Sequence, residues 1–243
     1  MKLKLFVDRL SQPCRAILIF CKLNGIEFEE VTIDFCKREN LSPEYQKINP
    51  MQLVPAIEVD GEFKLFESHA ILRFLACAFP GVADHWYPAD LFERAQIDSV
   101  LDWHHSNLRH GTTGFVFNST VGPLLAGLPP NLEAAAEARK VLLASLPKVE
   151  SFWLKSDGHF LLGRSQPSIA DLILVCEIMQ LEVLDEKVRK QILDPYKKIG
   201  KWIDDTRNAT QPYFDEFHAV LFRAKEKLIK IRSTGSSDET KIK

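Results

Sequence analysis

Several things are scarce in this 243-residue chain, and each scarcity removes a class of function. No apolar run approaches the roughly 18 residues of a membrane span. At the amino end only Leu5-Phe6-Val7 precedes Asp8, too short for a signal-peptide core, so no export segment is expected. Charge of one sign is lacking too: 31 Lys and Arg against 33 Asp and Glu leave a formal charge of −2. A chain so balanced offers no bulk basic face for nucleic acid. Cysteine is sparse, five in all at 14, 21, 36, 77 and 176, with no Cys-x-x-Cys pair. A zinc ribbon or dithiol redox site is therefore not expected, and free thiols in a reducing cytoplasm fit best. There is no HExxH among the seven histidines. His104 and His105 are adjacent on an expected helix and point about 100° apart, a poor pair for one metal ion, so no metal ligands are assigned. No GxSxG points to a hydrolase.

What remains is a globular composition with 46% hydrophobic residues, enough for a sizeable core. The first 80 residues mix two periods. Leu3, Leu5 and Val7 alternate as in a strand, and Pro13 opens an apolar helix through Leu23 with Gly25 at its exit. Phe28–Asp34 reads as a second strand. Val54–Val59 and Glu62–Phe66 flank Asp60-Gly61, a two-residue hairpin signal, and Ser68–Phe79 reads as a helix. A right-handed crossover makes the first two strands parallel, and the hairpin completes a mixed four-stranded sheet. Pro80-Gly81 and Pro88 mark a linker over residues 81–89. Beyond it every segment reads as helix: one opening at Asp90-x-x-Glu93, then 131–154, 169–181, 185–193, 196–207, and a last one carrying Phe214, Phe217, Val220 and Leu221. Residues 122–130 read as a Gly/Pro loop, Pro147 is expected to kink or break its helix, and residues 231–243 read as a disordered tail.

Three places have the residues for chemistry. Ser11-Gln12 lies between the first strand and the Pro13 helix, beside the unpaired amides of a helix start. A hydroxyl there either caps the helix or helps an anion or thiolate settle nearby. Val54-Pro55 enters the third strand; a cis proline would expose the preceding backbone to an extended peptide, but the local sequence does not fix the isomer. Glu67-Ser68 closes the fourth strand and opens a helix. It is either a plain cap or a seat for a carboxylate and an ammonium. Taken together, the three would suit a short zwitterionic peptide bearing a thiol.

The segments LSQPCRA (10–16), INPMQLVPAI (48–57), LFESHAILRFLA (65–76), LDWHHSNLR (101–109) and QPSIADLIL (166–174) are ordered and spaced as in theta-class glutathione transferases of plant type, which the chain resembles over residues 1–230. The resemblance implies an α/β thioredoxin-like N-terminal domain (1–80) that binds glutathione and an all-α C-terminal domain (90–230) with the electrophile pocket. It implies a cytoplasmic homodimer that conjugates glutathione to hydrophobic electrophiles and reduces organic hydroperoxides, with no cofactor, no nucleic acid and no membrane partner. Catalytic roles carry over to Ser11, which would hydrogen-bond the glutathione sulfur, and to Arg109, which would reach toward it. Glutathione-binding roles carry over to Ser11, Gln12, Asn40, Val54, Pro55, Glu67 and Ser68. Leu53 departs from the family, which usually has Lys before Val-Pro, so one cationic contact to the glycyl carboxylate is missing. A thiol transferase or dehydroascorbate reductase of the same fold would need Cys where this chain has Ser11. A non-catalytic ligand-binding protein of that fold would not need Ser11, Val54-Pro55 and Glu67-Ser68 intact.

Overall fold

The computed structural model describes residues 1–35, 37–125, 127–154 and 158–238. Its first part is a four-stranded sheet of β1 (Leu3–Val7), β2 (Glu29–Thr32), β3 (Ala56–Val59) and β4 (Phe63–Phe66), in the order β2-β1-β3-β4. β1 runs parallel to β2 and antiparallel to β3, which pairs antiparallel with β4. Leu3, Leu5, Phe6 and Val7 are all buried, so both faces of the central strand are covered.

Helix α1 (Gln12–Leu23) links β1 to β2. Pro13 sits in its first turn, where its missing N–H costs nothing, and Gly25 follows at φ +63°, a conformation glycine adopts freely. Every α1 residue from Gln12 to Cys21 is buried, because the helix lies between the sheet domain and the helical domain. A short α2 (Pro43–Gln46) precedes β3, and α3 (Ser68–Ala78) follows β4.

The helical domain comprises α4 (Leu91–His104), α5 (His110–Val116), α6 (Gly122–Leu125), α7 (Leu132–Lys148), α8 (Ile169–Met179), α9 (Glu186–Leu193), α10 (Lys197–Ala209) and α11 (Tyr213–Asp238). Asp90 caps α4 by accepting from the Phe92 and Glu93 amides. Arg73 of α3 pairs with Asp98 of α4 at 2.7 Å, tying the two domains together. α5 packs closely on α7 because residue 111 is glycine; a Cβ there would lie 2.4 Å from the Leu142 nitrogen. At the start of α8 a capping box is complete. Buried Asp171 accepts from the Ser168 amide and hydroxyl, the Leu161 amide and the Trp202 indole.

Three expectations are corrected. Of the kink or break expected at Pro147, the break does not occur: α7 stays helical to Lys148, and the chain then widens into a π-helical turn, Val149–Trp153, closed by the Leu154 amide donating to the Val149 carbonyl. Residues 122–125 are helical rather than loop, because the helical path that α4 begins does not end at His104. It runs on through π-helical turns at His105–Arg109 and Phe117–Val121 with α5 between them. The last helix extends to Asp238, past the expected start of disorder at 231, since a helix nucleated on a packed stripe propagates at little cost per residue. Residues 239–243 lie outside the described residues, as does Cys36. Among the described residues no helix is long and apolar enough to cross a membrane.

Candidate active site

Strand register gathers the predicted residues. Phe6 in β1 pairs with Ala56 at the start of β3, and Ala56 pairs with Phe66 at the end of β4. The chain leaving β1 (Asp8–Ser11), the chain entering β3 (Val54-Pro55) and the chain leaving β4 (Glu67-Ser68) therefore emerge side by side at one end of the sheet.

Ser11 is the N-cap of α1 by backbone conformation, yet its hydroxyl makes no capping bond. The hydroxyl is left at a helix start with the α1 amides, which favour an anion. Its neighbour is the Cys14 thiol, which burial pushes up to about 12, with a hydrogen bond to the Ser11 hydroxyl pulling the other way. Cys14 thus stays a protonated, inert thiol at neutral pH. Val54 is 8% exposed and its peptide bond to Pro55 is cis. The Leu53 carbonyl accepts from the Tyr45 hydroxyl and the Asn49 amide, both at 2.7 Å. Asn40 is buried and donates to the Gln52 carbonyl at 3.0 Å, so it braces the loop that presents Val54. Glu67 is exposed and sits at φ 72°, ψ 112°, which few non-glycine residues adopt; Ser68 beside it is 8% exposed.

Gln12 points elsewhere than the sheet end. Its amide donates to the Thr113 hydroxyl at 3.0 Å and toward Glu177 at 3.4 Å, across the domain boundary. Arg109, on the π-helical turn after α4, pairs with the same Glu177 at 3.3 Å. Glu177 is 1% exposed, in the middle of α8. Burial pushes its pKa up, but the His104 ring, the Arg109 guanidinium and the Thr113 hydroxyl outweigh burial and hold it below the usual carboxylate range. Reasoning from the sequence misses this carboxylate. The signal was there: Glu177 is the only charged residue between Asp171 and Glu182 in an otherwise apolar helix.

Helix α11 closes the same side. Phe214, Phe217, Leu221 and Leu228 of its stripe are buried, and the Arg9 guanidinium lies 5.0 Å from the Phe217 ring centre. Arg9 belongs to the loop that carries Ser11, so α11 leans on the active loop.

A match to the glutathione S-transferase N-terminal domain covers residues 1–77, the sheet and α3. Over 97% of its length the chain is 60% identical to glutathione S-transferase T1 of Arabidopsis thaliana, covering 96% of that protein. The chain belongs to the theta-class glutathione S-transferases. It superposes on apo human glutathione S-transferase T1-1 with a TM-score of 0.82, at 34% identity, covering 92% of this chain and 91% of that one. It also matches a human theta-class transferase in complex with the glutathione conjugate of 1-menaphthyl sulfate, with a TM-score of 0.83, 34% identity, and coverage of 95% and 91%. The thioredoxin-like sheet domain and helical domain of this transferase are those of the family. Two surface hollows lie along α8–α11, and Ser11 lines neither.

Proposed function

We propose that this transferase binds glutathione along the exposed end of its sheet, activates the sulfur as a thiolate with Ser11, and delivers it to hydrophobic electrophiles and organic hydroperoxides. The observation that carries the reading is the Ser11 hydroxyl, not used as a helix cap, at the α1 N-terminus beside the Val54-Pro55 and Glu67-Ser68 ends of the neighbouring strands. The Val54 backbone would pair with the cysteinyl unit of glutathione. Glu67 and Ser68 would hold the γ-glutamyl ammonium and carboxylate. Asn40 would act through the Gln52–Val54 loop it braces, and Gln12 through its contacts across the domain boundary. Arg109 uses one donor of five on Glu177 and is part-exposed, leaving donors for the sulfur.

In the transfer reaction the thiolate forms a carbon–sulfur bond and the leaving group departs with the bonding pair. With a hydroperoxide the thiolate attacks the terminal oxygen, the O–O bond breaks, and the alkoxide takes a proton. A second glutathione then converts the sulfenic product to disulfide and water. Buried, high-pKa Cys14 favours this over a protein-centred thiol-transfer reaction, which requires an accessible low-pKa cysteine.

The reading includes residues 1–80 as the glutathione-binding domain, 81–89 as linker and 90–230 as the electrophile domain, in a cytoplasmic homodimer. Leu91 and Phe92, 74% and 84% exposed at the start of α4, are apolar surface that a second copy would cover. Retention on glutathione-agarose, followed by turnover of an alkyl halide and of cumene hydroperoxide, tests the function. Retention without turnover of either would reduce the protein to a binding module.

A further inference from the structure

The sequence offers His104 and His105 as a poor metal pair, but the fold brings a third imidazole to them. His69, the second residue of α3, has its ring centre 4.1 Å from that of His105 and 5.3 Å from that of His104. One ligand nitrogen from each of the three can be chosen so that all lie within 4.8 Å of one another.

Two features set this cluster apart from ordinary packed histidines. First, His69 is 3% exposed and neither of its ring nitrogens has a hydrogen-bond partner; His104 is 2% exposed and its Nδ1 is likewise unpartnered. A neutral imidazole has one N–H and one lone pair, and buried polar atoms of this kind are nearly always satisfied. Second, the third member, His105, is exposed, so the cluster has an open side through which an ion can enter.

We propose that His69, His104 and His105 form a binding site for one divalent transition-metal ion of the zinc type. Three imidazoles and a solvent ligand make a complete tetrahedral set for such an ion. Metal–nitrogen bonds of about 2.0–2.1 Å put neighbouring ligands roughly 3.4 Å apart, so nitrogens already within 4.8 Å of one another have to draw in by no more than about 1.4 Å. Neighbouring charge is balanced. Arg73 is paired with Asp98 at 2.7 Å, and Arg109 with Glu177 at 3.3 Å. Glu177 also lies 3.5 Å from Nε2 of His104, where a carboxylate can orient a ligating ring. Because His69 directly follows Ser68, an ion held there fixes the first turn of α3 immediately beside Glu67-Ser68.

The test uses full-length, untagged protein stripped with a chelator and then titrated with Zn²⁺ by calorimetry and with Co²⁺ by visible absorption. The expected result is one ion per chain and a cobalt spectrum of low coordination number. Exposed His105→Ala keeps the fold and should weaken binding by at least about tenfold, as should buried His69→Leu. His110→Ala and Cys77→Ser, exposed groups outside the cluster, should leave it unchanged. The proposal is overturned if the stripped protein takes up no stoichiometric zinc, if His105→Ala binds as tightly as the parent, or if Cys77→Ser abolishes uptake.

Discussion

The two sides of the active site are held by different means. On the sheet side the presenting groups are backbone ends and short side chains: the Ser11 hydroxyl, the Val54 peptide, the Glu67-Ser68 turn. Their positions follow from strand register, with only neutral side-chain bonds, from Asn40, Tyr45 and Asn49, bracing the loop before Val54. On the helical side Arg109 is aimed by a buried carboxylate, Glu177, which also engages Gln12, Thr113 and His104. A site built from register tolerates loss of a side chain with little effect on folding. A site built on a buried charge does not, because removing one partner leaves the others uncompensated.

That contrast orders the expected outcomes. Glu177→Leu should cost about 3 kcal/mol of stability, since it strands Arg109 and the Gln12 amide at a buried boundary, and thermal denaturation will read it. A loss below about 1 kcal/mol would erase the distinction between the two sides. Ser11→Ala should do the opposite, lowering turnover on the order of 10²-fold while leaving the melting temperature and glutathione affinity nearly unchanged. Unchanged turnover would move the sulfur-activating role elsewhere.

The third outcome concerns pH. His218 of α11 is fully buried, with Nδ1 at 2.8 Å from the Phe214 carbonyl. Burial, with the Arg15 and Arg207 charges, pushes its pKa from 6.5 down to about 3, against the weaker pull of the Phe214 carbonyl and Asp215. The unfolded chain therefore binds more protons between these values, and the His218 contribution to stability falls steadily as pH drops from 6.5 toward 3. His218→Gln should flatten that slope in denaturant titrations at pH 4 to 7; an unaltered slope would assign it to other groups.

Glu67→Ala, an exposed change, should raise KM for glutathione by about five- to tenfold with little effect on kcat, as expected for a contact made equally in ground and transition states. Smallest of all, Leu53→Lys should tighten glutathione by less than about 1 kcal/mol, in a salt-dependent way, because Leu53 is 56% exposed and any ion pair there is screened. Calorimetry at low and high salt separates this from a packing effect.

The sheet side was legible in the sequence because its signals are local. Pro13 after Ser11, Asp60-Gly61 between two strands, and Ser68 before an apolar helix each dictate a backbone conformation within a few residues. The helical side was legible only as helix. Nothing within a few residues of Gln12 indicates that its amide meets Thr113 and Glu177, 101 and 165 positions away. The π-helical turns were invisible for a related reason. An extra residue in a turn is stabilised by what the displaced side chains then pack against. Pro147 shows the limit of a local rule: its missing donor is absorbed by a helix whose next turn widens instead of breaking.

Arg15 carries a consequence for the molecule as a whole. Its fully buried guanidinium donates to the carbonyls of Arg9 and Leu10 on the sheet side, and to the Cys176 carbonyl and the Gln180 side chain on the helical side. Separating the domains would leave that cation half-bonded against the apolar faces of α1 and α8, a state costly enough to be unpopulated. The seam between the domains is thus as rigid as their interiors. The chain should unfold as one cooperative unit with a single heat-absorption peak, and a fragment ending at the linker should not fold alone.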